Sequence, residues 1–186
     1  MKIKTGAGVI PFANRQGLTC FLFHKTFSGR RAGLLVDFGG GSNTGETHAH
    51  TAAREFIEET DAMFFSDNCN AESGSMFQSQ YIRLLQLIEH TQHQYPHWFC
   101  NRRNKSGAAP RNWKTFFVEV EYRDPADMNR AWMEDSSGRF KKRRELLWLG
   151  ADQLLDIIDN RPEMLWKRMR DYEGLREVVL AIASRE

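Results

Sequence analysis

Four glutamates and one arginine in this chain have the types and spacing to do chemistry. Glu46 follows a run of three glycines, and Arg54-Glu55-Phe56-Ile57-Glu58-Glu59 follows Glu46. The spacing predicts a helix from about Thr47 to Thr60. Residues three and four apart lie on one face of a helix, so Glu55, Glu58 and Glu59 share a face. Like charges so placed cost roughly 0.2–0.5 kcal/mol per pair in an isolated helix. A segment that needed only solubility would interleave lysines. The opposite face carries Ala49, Ala53, Phe56 and Ile57, which can pack on a sheet. Clustered carboxylate oxygens are the ligands that hard divalent cations such as Mg²⁺ require. The plainer alternative is an acidic, solvated helix face.

The order of the parts narrows this choice. From Gly40 the chain reads G-x5-E-x7-R-E-apolar-x-E-E, with Gly40, Glu46, Arg54, Glu55, Phe56, Glu58 and Glu59 in those places. That long, gapped pattern resembles the signature of the Nudix hydrolases. One position departs from it: Asp61-Ala62 stands where the family has glycine and an aliphatic residue. That glycine suits a left-handed helix C-cap, where Asp is tolerated at some cost. The resemblance implies an α/β fold, an α/β/α sandwich with a mixed central sheet. It implies a Mg²⁺ cofactor, with Mn²⁺ as the alternative, on Glu55, Glu58 and Glu59. Glu46 would be an outer ligand or support, and the backbone carbonyl near Gly39 would join the shell. Arg54 would orient a glutamate through a charge-assisted hydrogen bond. The general base is left open between Glu58, Glu59 and a downstream glutamate. Glu145 is the downstream candidate, because it precedes the Trp148 strand as the family pattern suggests, and its other reading is an ion pair with Arg143 or Arg144. Glu119 is a weaker candidate, alternating on a strand with Phe117 and Val118.

Composition sets the frame. The 186 residues suit one domain spanning 1–186 with a sizeable core, and 41% hydrophobic and 27% charged residues are ordinary for a soluble globular chain. A net charge of +2 is too small to argue for nucleic acid. Cys20, Cys69 and Cys100 are widely spaced, with no CxxC pattern, so neither a zinc site nor a disulfide framework is expected and a cytoplasmic setting is the default. No apolar run approaches membrane-spanning length, so no membrane partner is expected. His48 and His50 are two apart, on different helix faces, and cannot chelate one ion as an i, i+4 pair would.

The remaining elements must position the glutamates. Residues 4–12 read as a strand, with Gly6, Ala7 and Gly8 permitting close backbone approach, and 19–25 as its hairpin partner. Residues 34–38 read as a strand running into the glycines. Residues 63–112 read as an insertion or long loop: 79–90 fits helix and strand periods poorly, and 91–112 is basic and irregular. Residues 113–122 are a strand, 124–138 a loop with a helical turn near 128–133, and 145–149 a short strand. A helix follows at 152–159, and a long amphipathic helix at 163–184.

Two basic clusters are candidate phosphate-binding sites: Arg102, Arg103, Lys105 and Arg111, and the run 139–144 with Lys142 and Arg143. Solvated loops are the alternative. The function expected is a Mg²⁺-dependent pyrophosphohydrolase cleaving a diphosphate linkage in a small nucleoside diphosphate derivative. Alternatives are the same chemistry on diphosphoinositol or dinucleoside polyphosphates, a non-catalytic nucleotide-binding regulatory module, and messenger-RNA decapping. A homodimer is left open.

Overall fold

The computed structural model describes residues 3–69, 73–104 and 110–185. Strands β1 (Lys4–Arg15) and β2 (Leu18–Thr26) form an antiparallel hairpin. Its turn places Gln16 and Gly17 at φ 53° and 83°, the left-handed pair of a type I′ turn, and Asn14 Oδ1 accepts from the Gly17 amide at 2.8 Å. The hairpin ladder stops at Phe12 opposite Phe21. The Phe12 carbonyl accepts from Val120 on the β5 side, so Pro11, one residue back, turns its nitrogen towards β2 and has no proton to donate there. Beyond that point β1 and β2 separate. His24 on β2 exchanges both main-chain hydrogen bonds with Val36, at 3.0 and 2.9 Å. Strand β3 (Phe38–Gly41) takes the vacated edge of β1, pairing Gly39 with Gly8 and Gly41 with Gly6.

Strand β5 (Arg111–Glu119) lies parallel to β1 on its other edge, with β4 (Phe99–Asn101) antiparallel beyond it. Strand β6 (Arg144–Gly150) closes the far side against β2, giving the order β4-β5-β1-β2-β6 with β3 on β1. The sheet is mixed and alternates its core residues. Ala7, Val9, Leu22, Phe116, Val118 and Leu146 face one way. There they meet α1 (His48–Glu59), α2 (Ser73–Gln94) and α3 (Ala126–Glu134). Ile10, Phe12, Phe21, Phe23 and Phe117 face the other way, under α4 (Ala151–Asn160), α5 (Lys167–Arg170) and α6 (Leu175–Ala183). This is the α/β/α sandwich expected.

Several elements differ from the sequence reading. The strand expected at 34–38 begins only at Phe38 and runs on through the glycines; Leu35 and Val36 make isolated bridges. Residues 63–112 hold α2 and β4 rather than a loop, with Lys105 outside the described residues. The helical turn near 128–133 is a nine-residue helix. The long helix expected at 163–184 is broken. Leu35 donates to the Met164 carbonyl and accepts from the Trp166 amide, both at 2.9 Å, which draws 165–166 out as an extended bridge. Gly174, at φ 72°, then restarts the chain as α6. Among the described residues no helix is long and apolar enough to cross a membrane.

The glycines of β3 are not interchangeable. A Cβ on Gly39 would lie 2.5 Å from the Ala7 carbonyl oxygen and 2.6 Å from Gly8 Cα, main-chain atoms that cannot step aside, whereas one on Gly41 would meet nothing within 4 Å. Gly39→Ala is therefore expected to lose roughly 1–3 kcal/mol of unfolding free energy in urea titration, as overpacking does, and Gly41→Ala to stay near wild type. Equal effects at the two positions would contradict this register.

Candidate active site

Helix α1 begins at Thr47, whose hydroxyl accepts from the His50 amide at 3.3 Å. Two turns later Arg54 gathers the carboxylates. Its Nε and Nη2 donate to the two oxygens of Glu46 at 2.7 and 3.1 Å, a bidentate pair. Its Nη1 donates to Glu55 at 2.8 Å and Glu58 at 3.1 Å, and Nη2 also reaches the Gly41 carbonyl at 2.8 Å. Glu46 accepts further bonds from the Asn43 amide and the Thr51 hydroxyl, at 2.8 and 3.0 Å. The Arg54 guanidinium, with these donors, holds its carboxyl down at about 2. Glu46 thus ties the glycine loop to α1.

Glu55 packs its carboxylate where a Cβ on Gly40 would sit, 2.3 Å from that point. Glycine at 40 is what lets the acid lie against the strand. Burial raises the Glu55 pKa, with Arg54 opposing. Glu58 is the open member, its side chain 47% exposed. Glu59 points inward. Its Oε2 accepts from the Gly39 amide at 2.8 Å, and the nearest cation, Arg144 Nη2, stands 3.7 Å away. Burial pushes the Glu59 carboxyl up to about 7, against the pull of Arg144 and Arg168. Beside it, His24 Nε2 lies 3.7 Å from Glu59 and both ring nitrogens are buried with no hydrogen-bond partner. Burial, and the charges of Arg144, Arg31 and Arg168, hold His24 well below the usual histidine range, so it is neutral.

These donors suit a hard divalent cation. They are carboxylate oxygens, and Glu59 is a buried acid with one hydrogen bond and no cation within hydrogen-bond distance. As the side chains stand, no three His, Cys, Asp or Glu among the described residues surround one point. Arg54 Nη1 occupies the space between Glu55 and Glu58, and an ion there would replace it. The Gly39 carbonyl, expected in the metal shell, accepts from Arg168 Nη1 at 3.2 Å.

Glu59 lies on the floor of a 610 Å³ cleft walled by seven basic side chains: Arg30, Arg31, Lys141, Lys142, Arg143, Arg144 and Lys167. Glu58 borders a second cleft of 390 Å³ on the other side of the same basic run, with Asp61, Phe77, Arg139, Lys141, Lys142 and Arg144. Lys142 and Arg143 therefore stand beside the glutamates. Arg111 lines a third cleft, of 790 Å³, with Glu46, Asn43 and Trp113. Arg102 and Arg103 are not brought to these clefts; they reach Asp171 at 3.0 Å and Glu173 at 3.8 Å. Glu145 is exposed on the face of β6 opposite α1, paired in register with Lys25. Its neighbour Arg144 takes the inward place, because successive residues of a strand point to opposite faces. Glu119 is bound to Arg185.

Sequence reasoning missed His24 and a buried cluster below the glycine strand, and took Arg144 only as one member of the basic run 139–144 or an ion-pair partner for Glu145. Asp37, fully buried, accepts from Arg168 Nη2 at 2.7 Å and the Tyr172 hydroxyl at 2.5 Å. The Tyr172 hydroxyl lies 2.8 Å from Thr115 Oγ1, which accepts from Trp113 Nε1 at 2.9 Å. The one signal available was an acid, Asp37, inside the apolar segment LLVDF.

No protein-family model matches the sequence, and no curated protein matches it significantly. Comparison of the backbone with solved structures does find chains of the same fold. A Nudix hydrolase from Alicyclobacillus acidocaldarius superimposes with a TM-score of 0.52 at 11% identity, over 100% of this chain and 93% of that one. The fold is that of the Nudix hydrolases. Two more share it: a Nudix hydrolase, RenU, from M. smegmatis, with TM-score 0.50 and 15% identity over 96% of this chain and 88% of that one, and an Ap4A hydrolase from C. elegans, with TM-score 0.50 and 11% identity over 98% of this chain and 96% of that one. Asp61, which stands where the sequence resemblance led us to expect glycine, has a partner of its own. It is left-handed, at φ 49°, and its Oδ2 accepts from Trp132 Nε1 at 2.8 Å.

Two outcomes follow. Asp61→Gly should relieve the left-handed backbone but strand the buried Trp132 N–H, which costs about 1–3 kcal/mol, so thermal unfolding should show a net loss of stability. A neutral or higher Tm would mean that the hydrogen bond contributes no more than the left-handed backbone costs. For Glu59 the folded pKa lies above the unfolded one, so the folded state binds the extra proton and stability falls as pH rises from about 4.5 towards 7. Without metal, Glu59→Gln should be clearly more stable than wild type at pH 8 and indistinguishable at pH 4. A less stable Glu59→Gln at pH 8 would show that the ionised carboxylate is held well by Arg144 and Arg168.

Proposed function

We propose that this protein is a Mg²⁺-dependent pyrophosphohydrolase that cleaves a diphosphate linkage in a nucleoside diphosphate derivative, with Mn²⁺ as the alternative ion. The observation that carries this reading is the conjunction of Glu55, Glu58 and Glu59 on one helix with the cation-walled cleft above Glu59. Glu55, Glu58 and Glu59 would hold the ion, which when bound neutralises charge on the phosphates and lowers the pKa of a water. Lys142, Arg143 and Arg144 bind the substrate phosphates and fix the diphosphate over the helix, the positioning and electrostatic work that phosphoryl transfer demands. Arg54 would hold Glu46 bidentately, and would hold Glu55 and Glu58 through Nη1 until the ion takes that nitrogen's place. On this reading Glu58, the most exposed of the three carboxylates, would take a proton from the attacking water. Glu145 on the opposite face of β6 is not placed to do so.

A second reading keeps the chemistry and lengthens the substrate. Seven cations line the cleft against one carboxylate, Glu59, more than a single diphosphate needs. A dinucleoside polyphosphate or a diphosphoinositol polyphosphate would use them, and one relative in fold is an Ap4A hydrolase.

The test is a hydrolysis panel with Mg²⁺: nucleoside triphosphates, nucleotide sugars, dinucleoside polyphosphates, capped RNA and diphosphoinositol phosphates. Turnover of one class is expected, abolished by Glu58→Gln in a folded protein. Charge reversal of Lys142 and Arg143 to glutamate is expected to raise KM about tenfold or more, a loss of roughly 1.4 kcal/mol or more in binding. Nucleotide binding without turnover across the panel would replace the enzyme with a regulatory binding module.

A further inference from the structure

Glu59 and Arg168 come from opposite faces of the sheet and meet at one residue. Glu59, from α1, takes the Gly39 N–H at 2.8 Å; Arg168, from α5, donates to the Gly39 carbonyl at 3.2 Å. Both groups of Gly39 lie on the edge of β3 that β1 does not pair. Arg168 is buried and held fast. Its Nη2 also donates to the Asp37 carbonyl at 3.3 Å and to Asp37 Oδ1 at 2.7 Å, and its guanidinium carbon sits 4.2 Å from the centre of the Trp113 ring. Asp37 in turn is fixed by Tyr172. A planar fork that spans two carbonyls two residues apart sets the direction of the amide between them.

We infer that Arg168 is a positioning residue for Glu59: through the Asp37–Gly39 backbone it fixes the amide that aims the Glu59 carboxylate at the metal-holding face of α1. The inference rests on the reading of Glu59 as a metal ligand. Outer contacts of this kind commonly carry 10- to 100-fold in metal affinity when removed. A lysine at 168 keeps the charge but cannot fork across both carbonyls.

The test uses the full chain and two readouts besides turnover: Mn²⁺ affinity by electron paramagnetic resonance of free Mn²⁺, and hydrogen exchange of the Gly39 amide. Arg168→Lys and Arg168→Met are compared with Arg176→Ala, which removes another arginine of the C-terminal segment and its 3.0 Å surface bond to Asp159 without touching the glycine edge. The expected result is Mn²⁺ affinity about tenfold or more weaker and faster Gly39 exchange in both Arg168 variants, with neither change in Arg176→Ala. If Arg168→Met does not fold, Arg168→Lys carries the comparison. Wild-type Mn²⁺ affinity in folded Arg168→Lys, or an equal loss in Arg176→Ala, would overturn the proposal. If the wild-type protein binds no Mn²⁺, the metal reading of Glu59 and this proposal fall together. Weakened Mn²⁺ binding without turnover by any variant or by wild type would sink the hydrolase reading alone and leave Arg168 in its role.

Discussion

The outer edge of the glycine strand has no neighbouring strand, and its main-chain groups must still be satisfied. An unpaired buried donor or acceptor costs about 1–3 kcal/mol, so a strand edge in this position needs substitutes. Here they are side chains. Arg168 serves the carbonyls of Asp37 and Gly39, Glu59 serves the Gly39 amide, and Arg54 serves the Gly41 carbonyl. Pro11 ends the β1–β2 ladder and lets β3 take that edge of β1, and β3's own outer edge is left without a strand partner. One missing N–H in β1 thus opens the gap that brings a buried acid and two arginines to the same few atoms.

Charge follows from that geometry. Asp37 is buried, and removing a carboxylate from water is expensive unless it is paired and hydrogen-bonded. Arg168, Tyr172 and, at 3.3 Å, Thr115 surround it. Burial alone would lower the Arg168 pKa, but Asp37 more than offsets that and keeps it charged. Glu59 is treated differently. It receives one amide bond and no cation within hydrogen-bond distance. The fold neutralises the acid that holds the strand and leaves unsatisfied the acid that faces the cleft. That inequality marks Glu59 as the group with work remaining for a ligand.

What was legible in the sequence was local. The 3.6-residue period and the glycine run revealed α1, its carboxylate face and its approach to the sheet, because each is set within twenty residues. The hairpin was legible for the same reason. The Asp37–Arg168 pair was not, since 131 residues separate its members and neither belongs to a spacing pattern. The break in the C-terminal helix was hidden likewise: the apolar stripe from Leu165 to Ile182 is continuous, and it is interrupted by main-chain bonds to the distant Leu35, Asn101 and Arg103 and by the left-handed turn at Gly174. Glu145 was displaced by one step. In RFKKRRELLWL nothing local says which residue turns inward, and a shift of one along a strand reverses every side chain. The inward residue is Arg144, so β6 offers the site a cation where an acid was expected.

The carboxylate helix is fixed at both ends, which limits how the site can respond to a ligand. At its start Glu46 ties the glycine loop to Arg54 and Thr51; past its end Asp61 accepts from Trp132, and the Ala62 carbonyl accepts from Gln80 at 2.6 Å. A helix so anchored does not need to slide to make room for a cation. On the proposed reading, the adjustment falls to one nitrogen. Arg54 grips Glu46 through Nε and Nη2 and reaches Glu55 and Glu58 through Nη1 alone. Exchanging Nη1 for an ion frees both ligands while the bidentate bond to Glu46 keeps the guanidinium in place. Glu46, its carboxyl held far down the pH scale, stays ionised throughout and serves as the fixed anchor of that exchange.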